Sequence, residues 1–365
     1  MKQTVESGKT LLVDGPASVT VVSGKAEVFG YQVKDNQRTV VREGKRLPFF
    51  ILEKTEFNIS LGPNASVEEF DGCTIPTSWA ESVQTVLSAN KKPLVLMIVG
   101  KADSGKSSFC TYLTNKLVNA KCKVAILDGD LGQSDIGPPC TIAYALTSKA
   151  VTELYELKVG NAFFVGVTSP VQATGKSVEG LLTLKNEIMG KATIDYLIIN
   201  TDGWIEGEYA TSYKLQLINE LNPDLVIGIQ IKDELNLLLS RIEKTSALAI
   251  CASASVSERS PEKRQKIREL NYAKYLKDAR TRLLFMNYVE IKERNTIPKE
   301  PGKEKGLLVG LINSRKRFLG IGVLREVNRG KRAMRVFTSV KTKPAIVIIG
   351  KARLDHNLRE VEVKD

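Results

Sequence analysis

Residues 93–107 read PLVLMIV and then Gly100-Lys101-Ala102-Asp103-Ser104-Gly105-Lys106-Ser107, with an amphipathic stretch running on to about Ala120. An apolar strand, a G-x-x-x-x-G-K-[ST] loop and a helix in this order form the context that a phosphate-binding loop requires. The glycines let backbone N–H groups curl around a β-phosphate, the lysine adds positive charge at the β/γ oxygens, and the serine hydroxyl ligates Mg²⁺. Gly100, Asp103, Ser104, Gly105, Lys106, Ser107 and Ser108 are therefore expected to bind nucleotide, with Lys106 also catalytic and Ser107 also a metal ligand. The competing reading is a glycine-rich turn that only caps a helix, and the flanking strand and helix count against it.

The next apolar run, KVAILD, ends at Asp128, and Asp130 follows within Asp128-Gly129-Asp130-Leu131-Gly132-Gln133. A strand-end carboxylate is what a Walker B element needs, because it points a negative charge at the magnesium shell. Two acids flanking Gly129 permit a division of labour, one facing the metal and the other facing an acceptor hydroxyl as its base. The spacing leaves open which does which. A guanine-reading N-K-x-D element is not apparent, since Asn200-Thr201-Asp202-Gly203 lacks the lysine, so ATP is expected rather than GTP.

Outward from this centre, TLLVD, SVTVVS, AEVFGY, RTVVR, FFILE and FNISLG between residues 10 and 62 are short β-branched or aromatic runs spaced by about ten. They predict a small antiparallel sandwich or barrel. TSWAESVQTVLSAN then reads as a helix with Thr77 as N-cap. Beyond the phosphate loop, apolar strands KVAILD, IDYLIIN and DLVIGIQI alternate with helical stretches at 178–189 and 210–221. That alternation implies a parallel sheet covered on both faces. GLLVGLIN, FLGIGVLREV, RVFTSV and AIVIIG predict a last, β-rich module. The expected fold is α/β: a P-loop NTPase domain at 76–282, with a basic lid at about 259–280, between a β-sandwich domain at 1–75 and a C-terminal β-rich domain at 283–365.

Composition bounds the partners. The 365 residues carry 53 Lys+Arg against 41 Asp+Glu. Residues 259–282 hold nine basic and three acidic side chains, and 315–335 hold eight and one, so these two stretches account for the whole excess. A localised excess is how a phosphate-rich partner is met, although a solvated basic surface has the same composition. No run reaches the roughly 18 apolar residues of a membrane span, and the opening residues lack a signal-peptide core. Five scattered cysteines without a C-x-x-C pair point to a reducing cytoplasm, and the one histidine, His356, leaves acid–base work to other groups.

With these motifs in place, the chain resembles the polynucleotide 5′-hydroxyl kinases related to the RNA kinases of mRNA cleavage, tRNA splicing and pre-rRNA processing. Asp128-Gly129-Asp130-Leu131-Gly132-Gln133 is similar to that family's D-x-D-x-G-Q, and Gly166-Val167-Thr168-Ser169-Pro170 to its strand-guiding clasp ending in T-[TS]-P. Asn200-Thr201-Asp202-Gly203-Trp204 matches N-T-x-G-W, Glu258-Arg259-Ser260 with Arg264 and Arg268 matches the arginine-rich lid, and residues 23–30, SGKAEVFG, resemble an N-terminal segment. The short length resembles an archaeal member most.

The resemblance implies ATP-dependent phosphorylation of 5′-hydroxyl ends of RNA, with DNA as an alternative acceptor, using ATP and Mg²⁺. It implies Lys106, Asp130, Arg264 and Arg268 as catalytic, Asp130 as base and Asp128 as the metal-side carboxylate. Gln133, Thr168, Ser169, Trp204 and Arg259 would bind substrate, Trp204 by stacking on a terminal base. On a helix over 261–277, Arg264, Arg268, Tyr272 and Tyr275 share one face that could close over phosphates. An RNA-processing nuclease or ligase is a candidate partner. The competing functions are an ATP-binding scaffold subunit of an RNA-processing complex and, further off, a GTPase-type switch or metallochaperone.

Overall fold

The structure is a computed structural model that describes residues 1–361. The N-terminal strands are β1 (Lys2–Val5), β2 (Lys9–Asp14), β3 (Ala17–Val28), β4 (Tyr31–Gln32), β5 (Arg38–Val41), β6 (Arg46–Leu61) and β7 (Ser66–Asp71). They form one hydrogen-bonded seven-stranded antiparallel sheet. The reason is length: β6 spans 16 residues and pairs β2 through Arg46–Phe50, β1 through Thr55–Asn58, and β3 along most of its course. Strict alternation aims Val19, Val21, Phe49, Ile51, Phe57 and Ile59 at the core, all of them fully buried.

The central elements are α1 (Thr77–Leu87), β8 (Leu94–Gly100), α2 (Lys106–Asn119), β9 (Val124–Asp128), β10 (Thr141–Thr147), β11 (Val159–Phe164), α3 (Thr174–Lys191), β12 (Tyr196–Asn200), α4 (Glu208–Leu221), β13 (Leu225–Gln230), α5 (Asn236–Ser240), β14 (Ser246–Cys251) and α6 (Pro261–Tyr275). Their sheet runs β11-β10-β9-β12-β8-β13-β14. Pairs β8–β12, β8–β13 and β13–β14 are parallel, as the apolar runs predict, while β10–β11 is antiparallel, so the sheet is mixed. Every residue of β8, β9 and β12 is buried, the mark of strands covered on both faces. Thr77 is not the N-cap: it opens the helix, and Pro76, extended and without a side chain able to accept a hydrogen bond, precedes it.

The C-terminal strands are β15 (Arg280–Phe285), β16 (Glu290–Lys292), β17 (Leu307–Ile312), β18 (Phe318–Asn328), β19 (Ala333–Thr338) and β20 (Ile346–Arg353), ordered β15-β19-β18-β17-β20-β16. Both faces are covered: Val309, Leu311, Val336 and Val347 pack on one, and Leu308, Val323 and Ile348 pack with Tyr272 and Leu276 on the other. The fold is thus α/β with β-rich regions at both ends. β15 begins at Arg280, inside the span expected for the kinase domain.

The chain divides into two compact units. Unit 1 comprises Met1–Ile126, Leu146–Lys158 and Ala192–Lys263; unit 2 comprises Leu127–Ala145, Val159–Lys191 and Arg264–Asp365. Among the described residues no helix is long and apolar enough to cross a membrane.

Candidate active site

In unit 1 the phosphate loop leaves β8 at Gly100 and enters α2 at Lys106. It turns through left-handed backbone at Asp103 (φ 61°) and Gly105 (φ 95°). Gly105 is the N-cap of α2 and offers no side-chain cap, so the first N–H groups of the helix and its dipole present an anion site. Lys106 is buried, with its ammonium donating to the carbonyl oxygens of Gly100 (2.9 Å) and Lys101 (2.7 Å). Ser104 Oγ is buried without a hydrogen-bond partner among the described residues. An orphaned hydroxyl costs about 1–3 kcal/mol, and a phosphate oxygen would satisfy it. These features fit a nucleoside triphosphate, with the half-buried Ser107 and Ser108 at the helix start. Asp103 and Arg259, expected to touch nucleotide and substrate, are bound to each other: Arg259 Nε lies 3.0 Å from Asp103 Oδ1, and the Arg259 N–H donates to Oδ2 at 3.0 Å.

The Asn200-Thr201-Asp202-Gly203-Trp204 segment leaves the end of β12, neighbour of β8. Thr201 Oγ1 donates to the Ile98 carbonyl (2.8 Å), and a Cβ at Gly203 would stand 2.5 Å from Cα and N of Ala102. Only glycine lets this segment lie against the phosphate loop. Asp202 is a structural centre that sequence reasoning missed. Its Oδ1 accepts the Trp204 N–H (2.9 Å), while the wholly buried Lys214 reaches its Oδ2 (2.9 Å) and its carbonyl (3.0 Å). Trp204 is half-buried and stacked on Tyr213, centroids 5.6 Å apart and planes at 29°. A signal for Lys214 existed: it lies on the apolar stripe of α4 with Ala210, Tyr213, Leu217, Ile218 and Leu221.

In unit 2, Asp128 is fully buried and its carboxylate accepts the N–H groups of Asp130 (3.3 Å), Asp135 (2.7 Å) and Ile136 (3.3 Å) and the Ser134 hydroxyl (3.2 Å). It therefore organises the loop that follows β9. Asp130 is half-buried, and its Oδ1 accepts the N–H groups of Gly132 (3.0 Å) and Gln133 (2.8 Å), a turn that fixes its direction. A Cβ at Gly132 would meet the Thr168 carbonyl at 2.9 Å, so this turn rests on the Thr168-Ser169-Pro170 corner. There Thr168 and Ser169 are half-buried, and Ser169 precedes a single 3₁₀ turn, Pro170–Gln172. Gln133 Nε2 donates to the Arg264 carbonyl at 3.2 Å, tying the turn to α6. Asp130, Gln133, Thr168 and Arg264 are thus brought together.

The expected face of α6 is occupied by unit 2's own groups. Arg268 makes a bidentate pair with Glu360 (2.7 and 2.6 Å), Tyr272 OH meets Cys140 Sγ at 3.3 Å, and Tyr275 OH donates to the Ile136 carbonyl at 3.0 Å. Burial works against the Arg268 charge, but the hydrogen bond and charge of Glu360 outweigh it and raise the guanidinium pKa. Burial also pushes the Tyr272 hydroxyl well up and the Cys140 thiol up to about 12. The C-terminal half of this helix is therefore a packed element in which the Arg268 charge is already matched.

Residues 100–278 match the family model described as the P-loop of mRNA cleavage and polyadenylation factor CLP1. A polyribonucleotide 5′-hydroxyl-kinase of Pyrococcus furiosus is 28% identical, the match covering 80% of this chain and 96% of that one. One of Methanocaldococcus jannaschii is 27% identical, covering 80% and 95%. A chain in the structure of a Clp1p–Pcf11p complex superposes with a TM-score of 0.77 at 14% identity, covering 97% of both chains. With the phosphate loop followed by the paired acids, the chain is similar over about 80% of its length to polyribonucleotide 5′-hydroxyl-kinases.

Proposed function

We propose that the protein transfers the γ-phosphoryl group of ATP to the 5′-hydroxyl end of a polynucleotide, RNA first and DNA as a second acceptor. The observation that carries this reading is the phosphate loop, where a buried lysine, an orphaned serine hydroxyl and an uncapped helix N-terminus fall within five residues. Phosphoryl transfer asks a protein chiefly for positioning and charge neutralisation. Lys106 supplies positive charge at the β/γ oxygens, and Ser107 and Asp128 are the residues that would hold Mg²⁺, which neutralises charge on the transferred group when bound. Asp130, with its carboxylate fixed by two N–H groups, takes the proton of the attacking hydroxyl.

Trp204 offers a ring to the terminal base, Thr168 and Ser169 guide the strand, and Gln133 and Arg259 hold the lid and loops around it. Arg264 and Arg268 add positive charge, Arg268 by exchanging the Glu360 carboxylate for a phosphate. An RNA-processing nuclease or ligase fits as a partner, because such enzymes leave or use the ends this reaction alters. Free thiols at all five cysteines support a reducing, cytoplasmic location. The scaffold alternative draws no separate support, since nothing in a scaffold calls for a fixed half-buried acid such as Asp130.

The test is incubation with γ-labelled ATP and matched oligonucleotides bearing 5′-hydroxyl or 5′-phosphate ends. Label is expected on the 5′-hydroxyl strand alone, and Lys106→Ala should abolish it while the protein stays folded. Near-normal transfer by that variant would reject the phosphate-loop assignment.

A further inference from the structure

The C-terminal β region of unit 2 holds an open cleft of about 720 Å³, within the size range of ligand sites. Its floor is apolar, with Val289 and Ile297 buried in it, and its rim carries Arg294, Lys299, Arg329 and Arg332. No carboxylate lines it. Arg329 and Arg332 project from the β18–β19 hairpin turn, which is closed by Lys331 N–H donating to Asn328 Oδ1 (2.8 Å). Arg329 Nη2 donates to the Pro298 carbonyl (2.8 Å), and the Met286 N–H to the Arg332 carbonyl (2.7 Å), so the rim is tied to the opposite wall. Four cations held around one cleft repel one another, and an anion removes that cost.

A second, independent feature borders the cleft. The turn between β15 and β16 supplies the lining residues Met286 and Val289, and the end of β15 and this turn present Phe285 and Tyr288, 48% and 69% exposed. Their rings pair edge to face at 6.4 Å, and the Lys343 ammonium lies 4.8 Å from the Tyr288 ring centre. Exposed rings among cations are what a single strand needs: bases stack on the rings while phosphates meet the charges. A duplex keeps its base faces stacked on each other and cannot use the rings this way.

We propose that this cleft and its aromatic border form a second binding site for single-stranded RNA, taking a short internal stretch of the acceptor strand. The proposal rests on the kinase reading only for the identity of the strand, because the binding itself involves neither ATP nor a free 5′-hydroxyl. The site holds the body of the strand while the 5′ end reacts, so it raises affinity for long acceptors and leaves the chemical step alone.

The experiment uses the full chain, without ATP, and a fluorescent single-stranded oligonucleotide of about 20 nucleotides carrying a 5′-phosphate, with binding followed by anisotropy across a salt series. Replacing three phosphate contacts, Arg294→Gln, Arg329→Gln and Arg332→Gln together, should weaken binding and reduce the log–log salt slope by about 2. Phe285→Ala with Tyr288→Ala, both exposed and therefore safe for folding, should weaken binding about tenfold with the salt slope unchanged. Turnover of a short 5′-hydroxyl acceptor at saturation should stay normal in both variants. Unchanged affinity and slope in both variants overturns the proposal. So does equal affinity for a duplex, or competition by nucleoside monophosphate or inorganic phosphate at concentrations as low as the strand's. A wild-type protein that binds the strand in this way yet transfers no label refutes the kinase reading and leaves the site standing.

Discussion

Lys214→Met should loosen the Trp204 segment, and its cost can be worked from the contacts. The Lys214 side chain is 0% exposed and Asp202 6%, and the ammonium makes two bonds, to Oδ2 at 2.9 Å and to the carbonyl at 3.0 Å. Hydrogen bonds to charged groups contribute roughly 1.5–3 kcal/mol each, which gives about 3–6 kcal/mol for the two. Breaking a buried ion pair by removing one partner costs about 3–5 kcal/mol by a separate route, because the remaining carboxylate stays in a poor solvent. The two routes agree on about 4 kcal/mol. Asp202→Asn in the same chain removes the stranded charge and keeps an oxygen for the Trp204 N–H, so the double variant should regain more than half of that loss. Urea unfolding followed by tryptophan emission reads unit 1 directly, since Trp79 and Trp204 both lie in it. The four-variant cycle then gives the coupling energy. Lys214→Met and Trp204→Ala should both raise the oligonucleotide KM while sparing the KM for ATP. A loss below about 1 kcal/mol, or a double variant as unstable as the sum of the singles, would refute the claim that this pair holds the segment.

The remaining predictions concern the loops and the lid. Gly203→Ala should raise the KM for ATP severalfold or more, because its Cβ would press on Ala102 at 2.5 Å; unchanged ATP kinetics would mean the segment yields freely. Asp130→Asn should lower kcat far more than it weakens ATP binding, since a base acts on the acceptor, and equal loss in both would point to a metal role instead. Arg268→Ala should cost roughly 2.7–4 kcal/mol in kcat if its guanidinium neutralises the reacting phosphate, whereas Glu360→Gln, which releases that guanidinium, should preserve kcat. Equal damage from both substitutions would make the pair a purely structural fastening.

Much of the fold was legible because the relevant signals are local. The seven apolar residues of β8 and the glycine-lysine-serine turn after it specify strand, loop and helix with no help from elsewhere. The strands β17 to β20 announce themselves by β-branched runs. β10, TIAYALT, and β11, VGNAFF, were not recognised, because their alanines and glycine carry little β propensity and only pairing with each other makes them strands. In the N-terminal region, regular spacing reports the number of short runs and not that β6 continues through 16 residues past a charged stretch, EKTE, in its middle.

The site divides along the same line. Residue types that bind phosphate were visible, and so was the excess of arginine and lysine in 259–282, but a charge run does not name its partners. Arg259 is matched by Asp103, 156 positions earlier, and Arg268 by Glu360, 92 positions later. Helical periodicity placed Arg268, Tyr272 and Tyr275 on one face, yet that face packs on unit 2 through Tyr272 and closes its polar groups on Glu360, Cys140 and Ile136. A face shared by cations and aromatic rings therefore has two physical uses, a cover for phosphate or an anchor for the helix, and periodicity is identical in both. What separates them is whether carboxylates and carbonyls elsewhere in the chain already satisfy the face. For Arg268 one does, which is why its part in the reaction depends on letting go of Glu360, and why the comparison of Arg268→Ala with Glu360→Gln carries more information than either variant alone.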